Sequence, residues 1–356
     1  MKILHVITSL DGGPSKILGS IVKSKQNNHD NFVIVTNYEI FNDELLKVLL
    51  NLNIKEKLIT KNEKFQVLPL ILIIKTILFE KPNIIISYDN YSNFLCSVKF
   101  LFNNKIKFFC SVHGLIGVFK PWKIIIQRFV YRIANNIIVP SKIVKKKIIK
   151  KKIINEKKVI IIPNGIKINF KFNNRKKIDS IINVVCLANF YSKIKGQEYL
   201  IKASKFLPKN FKINFIGDGK YLNYAKNMTK RLKLCEQINF KGAQDSKTVR
   251  NSLYHYDVMV IPSLSETFCI AALESMAAGV PVIASEVGGL MEIFDKNKDG
   301  ILVKEGNPRL IAQHLVNLCE DSLLYNFIRK NAYNKVKTKY NEFIMVSNYI
   351  NLFEKT

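Results

Sequence analysis

Two carboxylates stand out in residues 265–289, SETFCIAALESMAAGVPVIASEVGG. Glu266 and Glu274 lie eight positions apart in a stretch that is otherwise small and apolar. A helix is expected over 268–278, stopped by Gly279 with Pro281 just beyond. It would be apolar nearly all round and therefore buried, and a carboxylate in such a place needs donors, because an unpaired buried charge is very costly. Glu266 would sit at the positive N-terminal end of that helix, and Glu274 about two turns further in. The pair suits a ligand with hydroxyls at both ends and a diphosphate between them over backbone N–H groups, the shape of a nucleotide sugar. The competing reading is an N-cap glutamate plus a solvent-facing one. It leaves the shortage of other polar surface on the helix unexplained.

Such side chains need a scaffold. Short, non-alternating, β-branched runs recur at 3–7, 32–36, 84–87, 107–112, 137–139 and 159–162, and again at 182–187, 212–216, 238–240, 258–261, 282–284 and 300–303. Runs of this kind read as parallel strands covered on both faces by helices. Two sets of about six predict an α/β chain of two doubly wound, Rossmann-like domains. The polar stretch KINFKFNNRKKIDS at 167–180 is the expected linker. The expected division is 1–166, the linker 167–180, 181–335, and a C-terminal helix in 336–356 packing back toward the first domain.

Doubly wound sheets bind ligands beyond their C-terminal strand ends, and that selects the loops to inspect. After the opening strand comes SLDGGPSK, where Gly12 and Gly13 allow close backbone approach before a helix N-terminus. It is not the G-x-G-x-x-G fingerprint, and a plain turn reads as well. His113 ends an inner strand, where it would face an inter-domain cleft or serve structurally. The turn Pro163-Asn164-Gly165 closes the first half. In the second half, NFYSKIKG at 189–196 offers Lys193 and Lys195 as point charges for phosphate. The small loops at Gly217 and Gly242 permit backbone approach.

The chain is long enough for two cores: 356 residues, nearly half apolar. Six cysteines show no C-x-x-C and five histidines no cluster, so a structural zinc site or disulfide framework is not expected, and reduced core thiols are. The apolar run 67–79 is interrupted by Lys75 and too short to span a bilayer. The N-terminus reads as a first strand rather than a signal peptide, so a cytosolic protein is expected. Net charge is +29; residues 1–170 carry 28 Lys and Arg against 10 Asp and Glu, residues 171–356 carry 28 against 17. A basic first half attracts anions; an Ile/Lys/Asn composition bias is the competing reading of the charge, and it leaves the unequal share of acids unexplained.

The segment VIPSLSETFCIAALESMAAGVPVIASEVGGLMEI closely resembles the E-x(7)-E signature of retaining GT-B glycosyltransferases of family 4. GGPSK, His113-Gly114, IIPNGI, Lys195-Gly196, IGDG, FKG, HYDVMVIPS and DGILVKEGNP follow in family order across nearly the whole chain. The resemblance implies two domains facing across a cleft, the first on the acceptor side and the second binding the nucleotide sugar. It implies that Glu266 contacts the donor sugar, with amides of Thr267, Phe268, Cys269 and Ile270 serving sugar hydroxyls and phosphate. Glu274 would hold the ribose, Lys195 would neutralise the leaving diphosphate and His113 would face the sugar. Gly12 and Gly13 would abut the phosphates and acceptor, and Gly217 and Gly242 would lie near the diphosphate and base. The chain departs from the family in two places. Glu266-Thr267-Phe268-Cys269 stands where E-G-F-G is common, and Lys193 stands in for an arginine that would grip phosphate bidentately.

Cleaving a sugar from a nucleoside diphosphate builds negative charge on the β-phosphate. The chain has no D-x-D for a metal, so Lys195, Lys193 and helix N-termini are expected to supply the positive field with neither metal nor cofactor. The donor is expected to be UDP- or GDP-linked. The resemblance implies retention, with the β-phosphate accepting the acceptor proton. The amphipathic stretch FKPWKIIIQRFVYRI at 119–133, followed by the Lys-rich 141–158, suits an anionic membrane as well as an ordinary packed helix. A membrane fits a glycan or undecaprenyl-linked acceptor on the cytoplasmic face, as in bacterial polysaccharide or lipopolysaccharide assembly. The alternatives are a nucleotide-sugar epimerase of GT-B architecture and a basic nucleic-acid-binding protein. The E-x(7)-E context argues against the first, and the missing aromatic-and-basic recognition motif against the second.

Overall fold

Runs of buried, β-branched residues become parallel strands wherever helices cover both faces, and the chain does this twice. The computed structural model describes all residues except 11, 25–28, 39–54, 61–67, 103–104, 114–120, 151–153, 169–171, 173–179 and 356. It divides into two units, Met1–Asn164 with Glu342–Thr356, and Gly165–Asn341.

The first unit is built on β1 (Lys2–Ile7), β2 (Asp30–Tyr38), β3 (Lys55–Thr60), β4 (Ile84–Ser87), β5 (Lys107–Ser111), β6 (Asn136–Val139) and β7 (Val159–Ile161). All pair parallel in the order β3-β2-β1-β4-β5-β6-β7. One face packs Ile3, Ile7 and Ile86 against helices Gly12–Lys23 and Glu342–Glu354, through Ile17, Ile21, Tyr349 and Phe353. The other packs Leu4, Val6 and Phe108 against helices Leu68–Glu80, Asn90–Cys96, Pro121–Ile133 and Lys142–Lys150.

The second unit carries β8 (Ile182–Leu187), β9 (Phe211–Ile216), β10 (Ile238–Phe240), β11 (Val258–Ile261), β12 (Val282–Ser285) and β13 (Ile301–Val303). They are parallel in the order β10-β9-β8-β11-β12-β13. Helices Gln197–Ala203, Leu222–Arg231 and Pro308–Glu320 cover one face. Helices Ile270–Ala277 and Ser322–Lys339 cover the other. Each sheet reverses its strand order once, between β1 and β4 and between β8 and β11, and a crevice opens at such a switch point.

The first sheet has seven strands where six were expected. The extra one, β3, reads KEKLIT and pairs with β2 alone at the sheet edge. An edge strand tolerates charge, so it lacks the apolar signature of its neighbours. The helix expected over 268–278 spans Ile270–Ala277, leaving Phe268 and Cys269 in the preceding loop. Four of the six cysteines are buried, but Cys235 is exposed rather than a core thiol. Among the described residues no helix is long and apolar enough to cross a membrane. Gly114, Phe119, Lys120 and most of the expected linker 167–180 lie outside the described residues.

Candidate active site

In the second unit the switch point gathers the loops after β8 and β11. The β8 loop runs through a short 3-10 turn, Lys193–Lys195, and ends at Gly196 with φ +67°. A Cβ at Gly196 would lie 2.0 Å from the Pro262 carbonyl oxygen, so only glycine lets the two loops touch. Leu264 N–H donates to the Ile194 carbonyl at 2.7 Å and completes the junction.

That junction delivers Lys195 to Glu266. The Lys195 ammonium donates to Glu266 Oε1 at 2.6 Å, and the Ser263 hydroxyl donates to the same oxygen at 3.0 Å. The Glu266 side chain is 7% exposed and that of Lys195 30%. Burial works against the charged lysine, but the adjacent Glu266 charge and hydrogen bond outweigh it, and the Lys195 pKa is raised. Burial, with the Glu266 charge beside it, pushes the Cys269 thiol up to about 12, so it is a neutral side chain at neutral pH.

The backbone after Glu266 is held from β12. Gly289 N–H donates to the Glu266 carbonyl at 2.9 Å. Gly288 adopts φ +52°, and a Cβ there would fall 1.9 Å from that same oxygen. The close approach is therefore made by Gly288 and Gly289, across the loop from the site segment. Thr267 and Cys269 are not among the positive-φ residues, and Cys269 has φ −106°. Glycine is thus not needed at the two positions where the chain departs from E-G-F-G.

Cys269 precedes the helix Ile270–Ala277 and gives it no side-chain cap, nor is there an acidic residue in its first turn. Glu274 lies within this helix at 8% exposure. Lys193 is placed differently from Lys195: its ammonium sits over the Tyr224 and Tyr221 rings, 4.7 and 5.9 Å from their centroids. The close approach at Gly217 (φ +145°) is to the chain itself, since a Cβ would meet the Ala188 carbonyl oxygen at 2.2 Å. Gly242 (φ +69°) has open space where a Cβ would stand.

In the first unit Gly12 and Gly13 form the first turn of the helix Gly12–Lys23. At the switch point, Asp89 accepts from Thr8 N–H at 2.8 Å and from the Thr8 hydroxyl at 2.5 Å. It also caps the helix Asn90–Cys96 by accepting from Tyr91 and Ser92 N–H. His113, just past β5, shares a 2.6 Å hydrogen bond with the Ser111 hydroxyl. Burial holds its pKa down to about 4 against the pull of Asp89. The imidazole is neutral at physiological pH. Sequence reasoning missed Thr8, Asp89, Ser263, Gly288 and Gly289. Asp89 had left a signal, D-x-x-S before a helix.

Comparison with known proteins follows this division. A model of the Glycosyltransferase Family 4 matches residues 25–170 and one of the Glycosyl transferases group 1 matches residues 168–335. The chain is 33% identical over 214 residues to the uncharacterized glycosyltransferase MJ1607 of Methanocaldococcus jannaschii, covering 56% of this chain and 54% of that one. It thus spans about half the length of that relative. It is 25% identical over 233 residues to the amylovoran biosynthesis glycosyltransferase AmsK of Erwinia amylovora, covering 62% of this chain and 56% of the other. The crystal structure of Anabaena Alr3699/HepE in complex with UDP-glucose matches with a TM-score of 0.86 at 18% identity over 100% of both chains, a likeness of fold. With two Rossmann-like units and two adjoining family matches, the chain belongs to glycosyltransferase family 4 and has the GT-B fold.

Proposed function

We propose that the protein is a retaining, metal-independent glycosyltransferase. It moves a hexose or N-acetylhexosamine from a nucleoside-diphosphate sugar to a glycan or lipid-linked oligosaccharide acceptor in surface polysaccharide assembly. The observation that carries this reading is the Lys195–Glu266 pair at the β8/β11 switch point, beside a helix N-terminus whose N-cap residue, Cys269, gives it no side-chain cap. Family membership and the likeness to AmsK and to the UDP-glucose-bound HepE support it.

In this reading the Lys195 ammonium turns from Glu266 toward the β-phosphate as the donor enters, and stays there as negative charge grows on the leaving group. Glu266, released, accepts from a sugar hydroxyl. The amides of Thr267, Phe268, Cys269 and Ile270 receive the remaining hydroxyl and phosphate oxygens, and Glu274 accepts from the ribose. Lys193 contributes a longer-range positive field from its place on the tyrosine rings. Neutral His113 serves as a hydrogen-bond partner to the sugar. Gly12 and Gly13, in the first turn of their helix, leave its N-terminal amides accessible to an anion. Gly242 lies near the base, and Gly217 shapes the loop beneath. Metal independence rests on Lys195 as the protein's own cation and on the absence of D-x-D from the sequence.

The experiment is a transfer assay with UDP- and GDP-linked sugars and membrane-extracted lipid acceptors in EDTA, with the anomeric configuration of the product read by NMR. The reading expects transfer in EDTA with an α-linked product from an α-linked donor. Transfer that needs a divalent metal, or a β-linked product, would overturn it.

A further inference from the structure

The outer surface of one helical layer in the first unit is built unlike the rest of the molecule. Nineteen large hydrophobic residues are exposed among those described, and eight of them fall within residues 68–133. Phe79 (81% exposed) ends the helix Leu68–Glu80. Phe94, Phe100 and Leu101 (65%) follow on helix Asn90–Cys96 and the 3-10 turn Ser97–Leu101, and Ile125 (68%) and Phe129 lie on Pro121–Ile133. These helices share one face of the sheet, so their outward residues lie on one side of the unit. Phe100 and Phe129 meet edge to face at 5.7 Å, which joins two of the helices into one apolar surface. Among the described residues the opposite layer, helices Gly12–Lys23 and Glu342–Glu354, exposes only Phe343 of this kind.

The charge on this layer is mainly positive. Lys75, Lys81, Lys105, Arg128 and Arg132 are exposed on these helices and the turns beside them, and residues 68–133 hold two acids, Glu80 and Asp89. Both acids are engaged. Glu80 lies 3.9 Å from the Lys2 ammonium, and the Asp89 carboxylate is taken up by Thr8 and the helix cap. The helix Lys142–Lys150, packed in the same layer, adds five lysines and no acid. Exposed aromatic and aliphatic side chains among cations, with the few acids already engaged, are what an interfacial surface requires. Apolar side chains enter the headgroup boundary and the lysines and arginines meet lipid phosphates.

We propose that this helical layer, and not the amphipathic helix Pro121–Ile133 alone, is the docking face for an anionic lipid bilayer. The proposal deepens the lipid-linked acceptor reading above by naming the surface that would bring the protein to such an acceptor. A second copy of the chain is disfavoured because it would press two cationic faces together. A polynucleotide would leave Leu101 and Ile125 without a role.

The test is flotation of the full chain with vesicles of pure phosphatidylcholine, and with vesicles containing about 30% phosphatidylglycerol. The expected result is at least about tenfold more protein on the anionic vesicles, falling as salt is raised. A triple variant, Phe79→Ser, Leu101→Ser and Ile125→Ser, should lose about tenfold or more of that binding, each lost apolar contact with the bilayer subtracting its own share. All three side chains are exposed, so its melting temperature and its thermal response to nucleotide sugars should stay those of the wild type. A control pair, Leu323→Ser and Phe343→Ser, removes exposed apolar groups elsewhere and should bind as the wild type does. The proposal fails if the wild type ignores anionic vesicles or the triple variant still binds. It also fails if the control pair loses as much, or if the triple substitution abolishes self-association measured by light scattering instead of vesicle binding. Donor response is read separately, so failure here leaves the glycosyltransferase reading standing, and the reverse holds too.

Discussion

A partly exposed lysine and a buried glutamate face each other at 2.6 Å, and in the proposed function a diphosphate sugar takes the place each now gives the other. Removing one leaves the other desolvated and unpaired, which costs more than removing both. Lys195→Met should therefore destabilise more than Lys195→Met with Glu266→Gln, and a urea-denaturation double-mutant cycle should show a coupling of about 1–3 kcal/mol. Equal additivity would mean the pair is solvent-screened. Buried histidines make a second prediction. His5 is fully buried between the Tyr88 hydroxyl and Asn31, and burial lowers its pKa from 6.5 to about 4. Below pH 6.5 the unfolded chain takes up a proton that the folded chain refuses until about pH 4. Stability is whole above 6.5 and falls across that window by about 3 kcal/mol for this one group. Acid titration of the unfolding free energy should show the slope, and His5→Gln should remove about half of it, His113 supplying a like share; an unchanged slope would contradict the assignment. Residue types and spacing made Glu266 and Glu274 candidates, because carboxylates in an apolar segment invite a reason; Lys195 entered beside Lys193 as a point charge and was singled out by the family resemblance, and its contact with Glu266 is what the structure adds. Asp89 and Ser263 were not, since a capping Asp and a buried Ser look alike whether or not they hold a site.

Elements bring these side chains together through glycines whose missing Cβ makes room for a neighbouring strand's loop. Gly288→Ala would place a methyl against the Glu266 carbonyl at a positive φ. It should cost more than about 2 kcal/mol, with loss of donor binding. Gly242→Ala has the same sign of φ but open space, and should cost only about 1 kcal/mol. Thermal denaturation of the two variants side by side separates steric from conformational demand; equal losses would mean contact at Gly288 is unimportant. Strands buried on both faces were readable as apolar runs, and 84–87, 182–187 and 258–261 match β4, β8 and β11 to the residue; 238–240 matches the edge strand β10 because its INF stayed uncharged. Strand β3 was hidden because its sequence, KEKLIT, carries the charges an edge position tolerates. Helix Ile270–Ala277 was readable in existence but not in its start. The two residues before it, Phe268 and Cys269, are apolar and at least partly buried like the helix, so hydrophobicity alone does not mark the boundary.

At the scale of the whole molecule, the first unit is discontinuous and needs its last helix. Met345, Val346, Tyr349, Ile350 and Phe353 all lie in one of its two cores. Removing them forfeits on the order of 10 kcal/mol of burial, comparable with the stability of a whole domain. A chain ending at Asn341 should lose the protease resistance of the first unit while the second, Gly165–Asn341, keeps its own. Resistance in both would contradict the role given to helix Glu342–Glu354. The central claim, that the β8/β11 switch point of the second unit binds a nucleotide sugar without metal, is reached most directly by thermal stabilisation. Full-length wild type, Glu274→Ala and the Lys195→Met/Glu266→Gln pair would be melted in EDTA with a panel of UDP- and GDP-linked sugars. The account predicts that one donor raises the wild-type melting temperature and that both variants lose the shift. No shift with any donor, or equal shifts in all three proteins, would contradict it.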